Sequence, residues 1–293
     1  MDIRLIAMDL DGTALQPDRR SFSPRLIAAL EEAHNRGIAI APVTGRQYRM
    51  LPPVVQNHPV WENLTVLCNG GQIRKLADGE LLYEKNISGE ALKQLLELAQ
   101  KLEIPIEFSV DGTLYLTEAS YRQQQGQPHL DFHIHTILKN HGKIIPSLEP
   151  LLDQAVEKCN FPYIPAEKHR EAEEGLKIIS VSAVWSSASS MEITHPEAQK
   201  GTALKALCEL LGIPLENTMA LGDSGNDESM LRCRSGHRHG QRSGLHQSGS
   251  GCCHGTYRKR RRRHCHRALR TESVNLPETA DNKMKEGTTY GSV

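Results

Sequence analysis

Asp9 and Asp11 stand two residues apart in Asp9-Leu10-Asp11-Gly12-Thr13, where the apolar run Leu5-Ile6-Ala7-Met8 ends. In an extended chain that spacing puts both carboxylates on one side. Two anions so close repel unless a cation or a proton lies between them. A hard divalent ion bound by oxygens answers this, and Mg2+ suits best because it keeps waters and bridges phosphate. Asp223 and Asp227, in Gly222-Asp223-Ser224-Gly225-Asn226-Asp227, offer further carboxylates after a second apolar run. Gly12, Gly45 and Gly222 let backbone amides approach an anion closely. Thr44 adds a hydroxyl donor and Lys200 a point positive charge. Carboxylates, a metal, a lysine and amide donors together suit phosphoryl transfer, where charge stabilisation and positioning dominate. Each residue also has a plainer use: an Asp as turn former or helix cap, a Lys as a solvated side chain, a Thr bonded to its own turn. His129, His133, His135 and His141 could ligate metal if the H-x-H pair lay on a strand, but read better as solvated or hydrogen-bonded side chains.

The elements that must carry these groups are visible in the pattern of apolar runs. Leu5–Met8, Ile38–Val43, Leu64–Cys68 and Thr218–Leu221 are apolar on both faces, as buried parallel strands are, and each ends in a polar or glycine-rich turn. A helix opening at Ser23-Pro24 and stopping at Gly37, and another over about 201–211 ended by Gly212, separate some of them. Strands alternating with helices predict a doubly wound, Rossmann-like α/β parallel sheet. Ligands then bind beyond the carboxyl ends of its strands, where Asp9, Thr44, Asn69 and Asp223 all fall. The middle of the chain predicts an α+β unit. It has a hairpin over Ile104–Val110 and Thr113–Thr117 with an Asp111-Gly112 turn, helices from Ser88 and around Glu149–Cys159, and a strand over Leu176–Val184. Gln123–Pro128 reads as a loop. The expected division is a core of residues 1–83 and 189–231 with an inserted cap of residues 84–188.

Composition bounds the rest. The chain has 293 residues, 38% of them hydrophobic, enough for a sizeable core. No apolar run nears the ~18–20 residues of a membrane helix, and the N-terminus lacks the basic region and long apolar segment of a signal peptide. A cytoplasmic enzyme is expected. The formal charge of zero hides a division: residues 1–231 hold 21 Lys/Arg against 31 Asp/Glu, whereas residues 232–270 hold 12 Lys/Arg and no acid. The basic stretch has no Ile, Val, Met, Phe or Trp, so composition predicts a disordered tail over 232–293.

Asp9-Leu10-Asp11-Gly12-Thr13, Thr44-Gly45-Arg46, Lys200-Gly201 and Gly222-Asp223-Ser224-Gly225-Asn226-Asp227 resemble the four ordered motifs of the haloacid dehalogenase-like (HAD) superfamily. The insertion, with Met191-Glu192-Ile193-Thr194 leading to Lys200-Gly201, resembles the Cof-type sugar-phosphatase branch with its mobile cap. The likeness spans essentially residues 1–231. It implies that Asp9 attacks phosphorus and becomes an aspartyl-phosphate, and that Asp11 protonates the leaving alcohol and then activates water. Asp9, the Asp11 main-chain carbonyl and Asp223 would hold Mg2+, with Asn226 and Asp227 in support. Thr44 and nearby amides would grip the phosphoryl oxygens, Lys200 would offset charge, and Gly45, Arg46 and Asn69 would face the substrate, a small phosphorylated metabolite. A phosphomutase of the same fold, or a damaged chain without activity, are the alternatives. No oligomeric state follows.

After Leu231 the likeness stops, where the family continues with a strand ending Met-Gly-Asn, a helix, an Ala-Asp-x-Val-Thr turn and a last helix. Taking the last two bases of each codon with the first of the next, synonymous codons let Cys233–Gln241 read Ala-Ala-Ala-Gly-Ile-Gly-Met-Gly-Asn and His246–His254 read Ile-Lys-Ala-Ala-Ala-Asp-Ala-Val-Thr. His264–Ala268 likewise read Ile-Ala-Ile-Ala-Leu. The expectation is a frameshift near Arg232, natural or from sequencing, and a poorly stable or inactive product, since a sheet lacking its final strand and helix leaves an edge and an apolar face uncovered. The basic run Arg258–Arg263 fits only nonspecific phosphate contact with nucleic acid, not a specific partner. The adjacent Cys252 and Cys253, near His254, His264, Cys265 and His266, do not match zinc-ligand spacing.

Overall fold

The computed structural model describes residues 2–233. The expectations for 234–293, the out-of-phase basic tail with its zinc and nucleic-acid alternatives, lie outside the described residues. The strands in chain order are β1 (Leu5–Met8), β2 (Ala39–Pro42), β3 (Leu64–Leu67), β4 (Gln72–Lys75), β5 (Leu81–Glu84), β6 (Glu107–Val110), β7 (Thr113–Leu116), β8 (Gly142–Ile144), β9 (Val156–Phe161), β10 (Ser182–Trp185), β11 (Met191–Thr194) and β12 (Thr218–Leu221).

A parallel sheet runs in the order β12-β1-β2, with Leu5 opposite both Thr218 and Ala39. Its central strand is buried on both faces. Ile6 and Met8 join Leu30 and Ala33 of the helix Pro24–Asn35, while Leu5 and Ala7 join Ala203, Leu204 and Leu207 of the helix Lys200–Leu211. That double burial is why the run carries no polar alternation. The flanking helices start and stop as their sequences dictate. Ser23 Oγ accepts from the Leu26 amide at 3.2 Å ahead of Pro24, and Gly212 closes the later helix in a left-handed conformation.

β3 keeps the expected parallel direction, bridging to Val43 at Val66 with the Thr44 amide donating to Val66 O at 2.9 Å, but it also pairs antiparallel with β4, which pairs with β5. The cause is local: Cys68, Asn69 and Gly70 all have positive φ, 51°, 56° and 102°, and turn the chain back immediately after the strand.

A second sheet of six strands has the order β10-β11-β9-β6-β7-β8, antiparallel except for β7 and β8. The helices Gly89–Leu102 and His169–Leu176 cover one face, packing Leu92, Leu95 and Leu176 against Phe108, Cys159 and Ile193. The β6–β7 hairpin turns through Asp111 and Gly112, φ 48° and 73°, as a tight two-residue turn requires.

Several expectations for this region are corrected. The segment around 149–159 is not a helix but a single turn, Glu149–Leu151, followed by β9 between β11 and β6. Glu157 and Lys158, which disguise the strand, are both buried, 1% and 3% exposed. The Glu157 carboxylate accepts from Ser109 Oγ and from the Asp111 and Gly112 amides at 2.7–2.8 Å, so its charge ties the hairpin turn. The strand expected from Leu176 begins only at Ser182, because the helix before it runs to Leu176. Gln123 and Gln124 belong to the helix Glu118–Gln124, and Gln124 is buried, donating to Glu107. The H-x-H pair lies in a helical segment, His133–Leu138, with His133 Nε2 2.9 Å from Glu107 Oε1 and His129 Nε2 2.9 Å from Ser189 Oγ. β11, placed with the core segment from 189 onward, pairs within the six-stranded sheet. No helix among the described residues is long and apolar enough to cross a membrane.

Candidate active site

Asp9 follows the central strand of the parallel sheet, and its amide donates to Leu221 O at 2.9 Å, which ties it to the end of β12. Gly222 and Asp223 follow that neighbour, and Thr44 follows β2 on the other side. The carboxyl ends of adjacent parallel strands therefore deliver these side chains to one crevice.

Lys200, at the start of its helix, is wholly buried, and its ammonium donates to Asp9 Oδ1 and to Asp227 Oδ1, both at 2.6 Å. Asp227 is buried as well. Its Oδ2 accepts from the Asp223 and Ser224 amides at 2.9 Å and from Ser224 Oγ at 3.1 Å, which fastens the 223–227 loop to the lysine. Asp223 is exposed and accepts from Thr13 Oγ1 at 2.9 Å. Gly12, at φ 85°, lies so near that a Cβ there would come within 2.5 Å of Asp223 Oδ2.

Two carboxylates share one ammonium, with Asp223 close by, and the acidities follow. Burial pushes the Asp9 carboxyl up to about 7; Lys200 opposes the rise, while Asp227 and Asp223 add to it. Burial alone would lower Lys200, but Asp9 and Asp227 outweigh it and hold the ammonium above its ordinary range. Asp223 is raised by burial and by its acidic neighbours, against Thr13 and Lys200. Asp11 behaves in the opposite way. Burial would raise it, yet a two-pronged pair with Arg46, Nε to Oδ2 at 2.7 Å and Nη2 to Oδ1 at 2.8 Å, holds it below the usual carboxylate range.

The donor set fits a hard divalent cation. Among the described residues, the group able to hold a metal is Asp9, Asp223 and Asp227, with one ligand atom of each within 4.8 Å of the others. Asp9 Oδ2 is buried without a hydrogen-bond partner, an arrangement that is costly unless a cation meets it. Asp227 has both oxygens engaged, so Asp9 and Asp223 are the more available ligands. The Asp11 side chain is turned to Arg46.

The remaining expected residues are near this centre but occupied. Thr44 is buried, and its Oγ1 accepts from the Arg46 amide at 3.2 Å. The Asn69 amide is engaged at both ends: Nδ2 donates to Glu192 Oε2 at 2.7 Å and Oδ1 accepts from Asn226 Nδ2 at 2.9 Å. Arg46 is taken by Asp11 and by the carbonyls of Met50 and Arg19, the latter two at 3.1 and 3.2 Å. Two further residues were not singled out from the sequence. Lys158 Nζ reaches Gly45 O at 3.0 Å and Glu192 Oε1 at 2.6 Å. Glu192 was visible only as part of the Met191–Thr194 run, and Lys158 was hidden in a segment read as helix.

The model of the haloacid dehalogenase-like hydrolase family matches residues 6–235, and the chain belongs to that family. It is an enzyme of the HAD hydrolase type. It is 26% identical over 254 residues to Phosphatase YwpJ of Bacillus subtilis, covering 78% of this chain and 86% of that one. It is 26% identical over 249 residues to the pyridoxal phosphate phosphatase YbhA of Escherichia coli, covering 79% and 85%. Among solved structures, the fold resembles a HAD subclass IIB sugar phosphatase with a TM-score of 0.64 and 24% identity, over 78% of this chain and 84% of that one.

Proposed function

We propose that this chain hydrolyses a small phosphomonoester through a phosphorylated Asp9. The observation that carries the reading is the buried Asp9 carboxylate, held by Lys200 at one oxygen and unpartnered at the other. A nucleophile needs such a fixed, desolvated and still available oxygen. An Asp9 oxygen bonds to phosphorus while the ester P–O bond breaks, and Asp11 gives its proton to the departing alkoxide. Water then attacks the aspartyl-phosphate, Asp11 takes its proton, and the acyl-phosphate P–O bond breaks to regenerate Asp9 and release inorganic phosphate. Arg46 favours the ionised form of Asp11 here, so the pair has to part and Asp11 has to take up a proton from solvent before it can give one to the leaving group. Lys200 opposes the protonation that burial favours at Asp9, and Thr44 with the Gly45 amide directs donors at the phosphoryl oxygens. Asp9, Asp223 and the Asp11 carbonyl would hold Mg2+, with Asn226 and Asp227 in support; the ion supplies positive charge against the phosphoryl oxygens.

The substrate class follows from likeness and scale. The related proteins include a pyridoxal phosphate phosphatase and a sugar phosphatase, which favours a small sugar phosphate or similar metabolite. The segment 84–188 would act as the cap that excludes water and selects the substrate, in a cytoplasmic enzyme. The test is Mg2+-dependent release of inorganic phosphate from an aryl phosphate. Turnover is expected for the parent chain and lost in Asp9→Asn. Equal turnover by that variant, or isomerised sugar phosphate in place of free phosphate, would overturn the proposal.

A further inference from the structure

A chain of polar contacts crosses from the six-stranded sheet to the catalytic loop. Lys158 on β9 and Glu192 on β11 lie on neighbouring strands, and Lys158 is 3% exposed. Its ammonium spans Glu192 Oε1 at 2.6 Å and Gly45 O at 3.0 Å. The other Glu192 oxygen accepts from Asn69 at 2.7 Å, and Asn69 accepts from Asn226 at 2.9 Å. Asn226 in turn accepts from Ser224 Oγ, inside the loop whose amides bind Asp227. Each side chain in the series bonds to the next, so the series joins the two sheets.

Local geometry requires this approach. A Cβ on Gly45 would lie 2.7 Å from Asn69 Oδ1 and 3.1 Å from Glu192 Oε2, so only glycine lets Glu192 and Asn69 meet beside the Thr44 loop. Asn69 holds a left-handed φ of 56°, which a short amide side chain tolerates better than most.

We propose that Glu192, with Lys158 as its counterion, is a positioning residue: through Asn69 and Asn226 it makes the geometry of the 223–227 loop depend on the six-stranded sheet being seated. Glu192 touches neither Asp9 nor the phosphoryl site; it acts through the residues that do. The inference rests on the proposed phosphatase reading for its kinetic arm only.

The test compares the parent chain with Glu192→Ala, Glu192→Gln and the double variant Lys158→Met/Glu192→Gln. Truncation to Ala strands a buried ammonium and can compromise folding. Glu192→Gln has one acceptor where Glu192 has two and leaves the Lys158 ammonium facing an amide donor, whereas the double variant keeps an acceptor for Asn69 and removes both charges together, so the double variant is the conservative one. Steady-state aryl phosphate hydrolysis at saturating Mg2+ is expected to show kcat lowered by about 10- to 100-fold in Glu192→Ala with KM nearly unchanged, and recovered in large part in Lys158→Met/Glu192→Gln but not in Glu192→Gln alone. Amide hydrogen exchange at 222–227 is expected to quicken in Glu192→Ala and to stay near the parent rate in the double variant. A melting shift with kcat and exchange at 222–227 both unmoved would reduce Glu192 to a structural tie and overturn the proposal. If the parent chain itself shows no turnover, the phosphatase reading fails while the exchange arm still decides the coupling.

Discussion

Lys200→Met removes the only cation that touches Asp9 and Asp227 among the described residues while keeping most of the aliphatic stem. The parent ammonium is wholly buried and lies 2.6 Å from each carboxylate, and those carboxylates are themselves 6% and 0% exposed at the side chain. At an effective dielectric near 20, each attraction is about 4 kcal/mol at ~4 Å, much of it spent on desolvation. Breaking a buried pair by deleting one partner costs about 3–5 kcal/mol, because the other partner stays behind unpaired. That compares with ~5–15 kcal/mol for the whole fold. The sign with pH is fixed by the same geometry. Without Lys200, whose presence lowers Asp9, the folded-state Asp9 carboxyl rises further above the ordinary 3.8. A carboxyl raised in the folded state favours folding when protonated, and that advantage is lost as pH rises through its folded value. Urea unfolding in metal-free buffer is therefore expected to show a deficit that grows as the pH rises through about 7, toward about 3–5 kcal/mol, and shrinks as the pH falls below it. Equal stability of the two proteins at pH 8, or a deficit that widens on acidification, would refute the reasoning.

Arg46→Lys replaces a planar fork by a point charge. The Asp11 carboxyl is expected to move back up toward its ordinary value, and the limb of the pH–rate profile governed by Asp11 to move to higher pH; an unmoved limb denies Asp11 the proton-transfer role. His133→Gln tests the buried pair with Glu107. Burial would lower His133 and raise Glu107, but each outweighs that for the other, holding the imidazole above 6.5 and the carboxyl below 4.5. The His133 contribution is complete below its unfolded value and is lost as pH rises through its folded value; the Glu107 contribution is complete above its unfolded value and is lost as pH falls. The stability cost of the variant should thus be greatest between the ordinary values of 4.5 and 6.5 and fade as the pH rises past the raised His133 value, as thermal or urea melts would show.

The parallel sheet and the acidic centre were legible because their signals are local. Leu5–Met8 is apolar on both faces, Ser23-Pro24 opens a helix, and Asp9, Thr44 and Asp223 each follow a strand. What was not legible depends on partners far away in sequence. Glu157 and Lys158 look like a solvated helix face until the hairpin amides and Glu192 are beside them. β3 gives no sign of its antiparallel partner β4, to which the left-handed turn at Cys68–Gly70 sends the chain back. The engagement of Asn69 at both ends, and of Asp11 by Arg46, is a matter of which side chain wins a donor, and no spacing encodes that.

The ion triplet around Lys200 joins positions 191 and 27 residues apart along the chain. A nascent or cleaved polypeptide ending before Lys200 would have to shut the Asp9 carboxylate away from water with no countercharge, at a cost of several kcal/mol. Such fragments are expected to keep that strand end open and hydrated. Assembly of the Asp9–Lys200–Asp227 cluster and closure of the parallel layer are thus expected to come as one late, cooperative event.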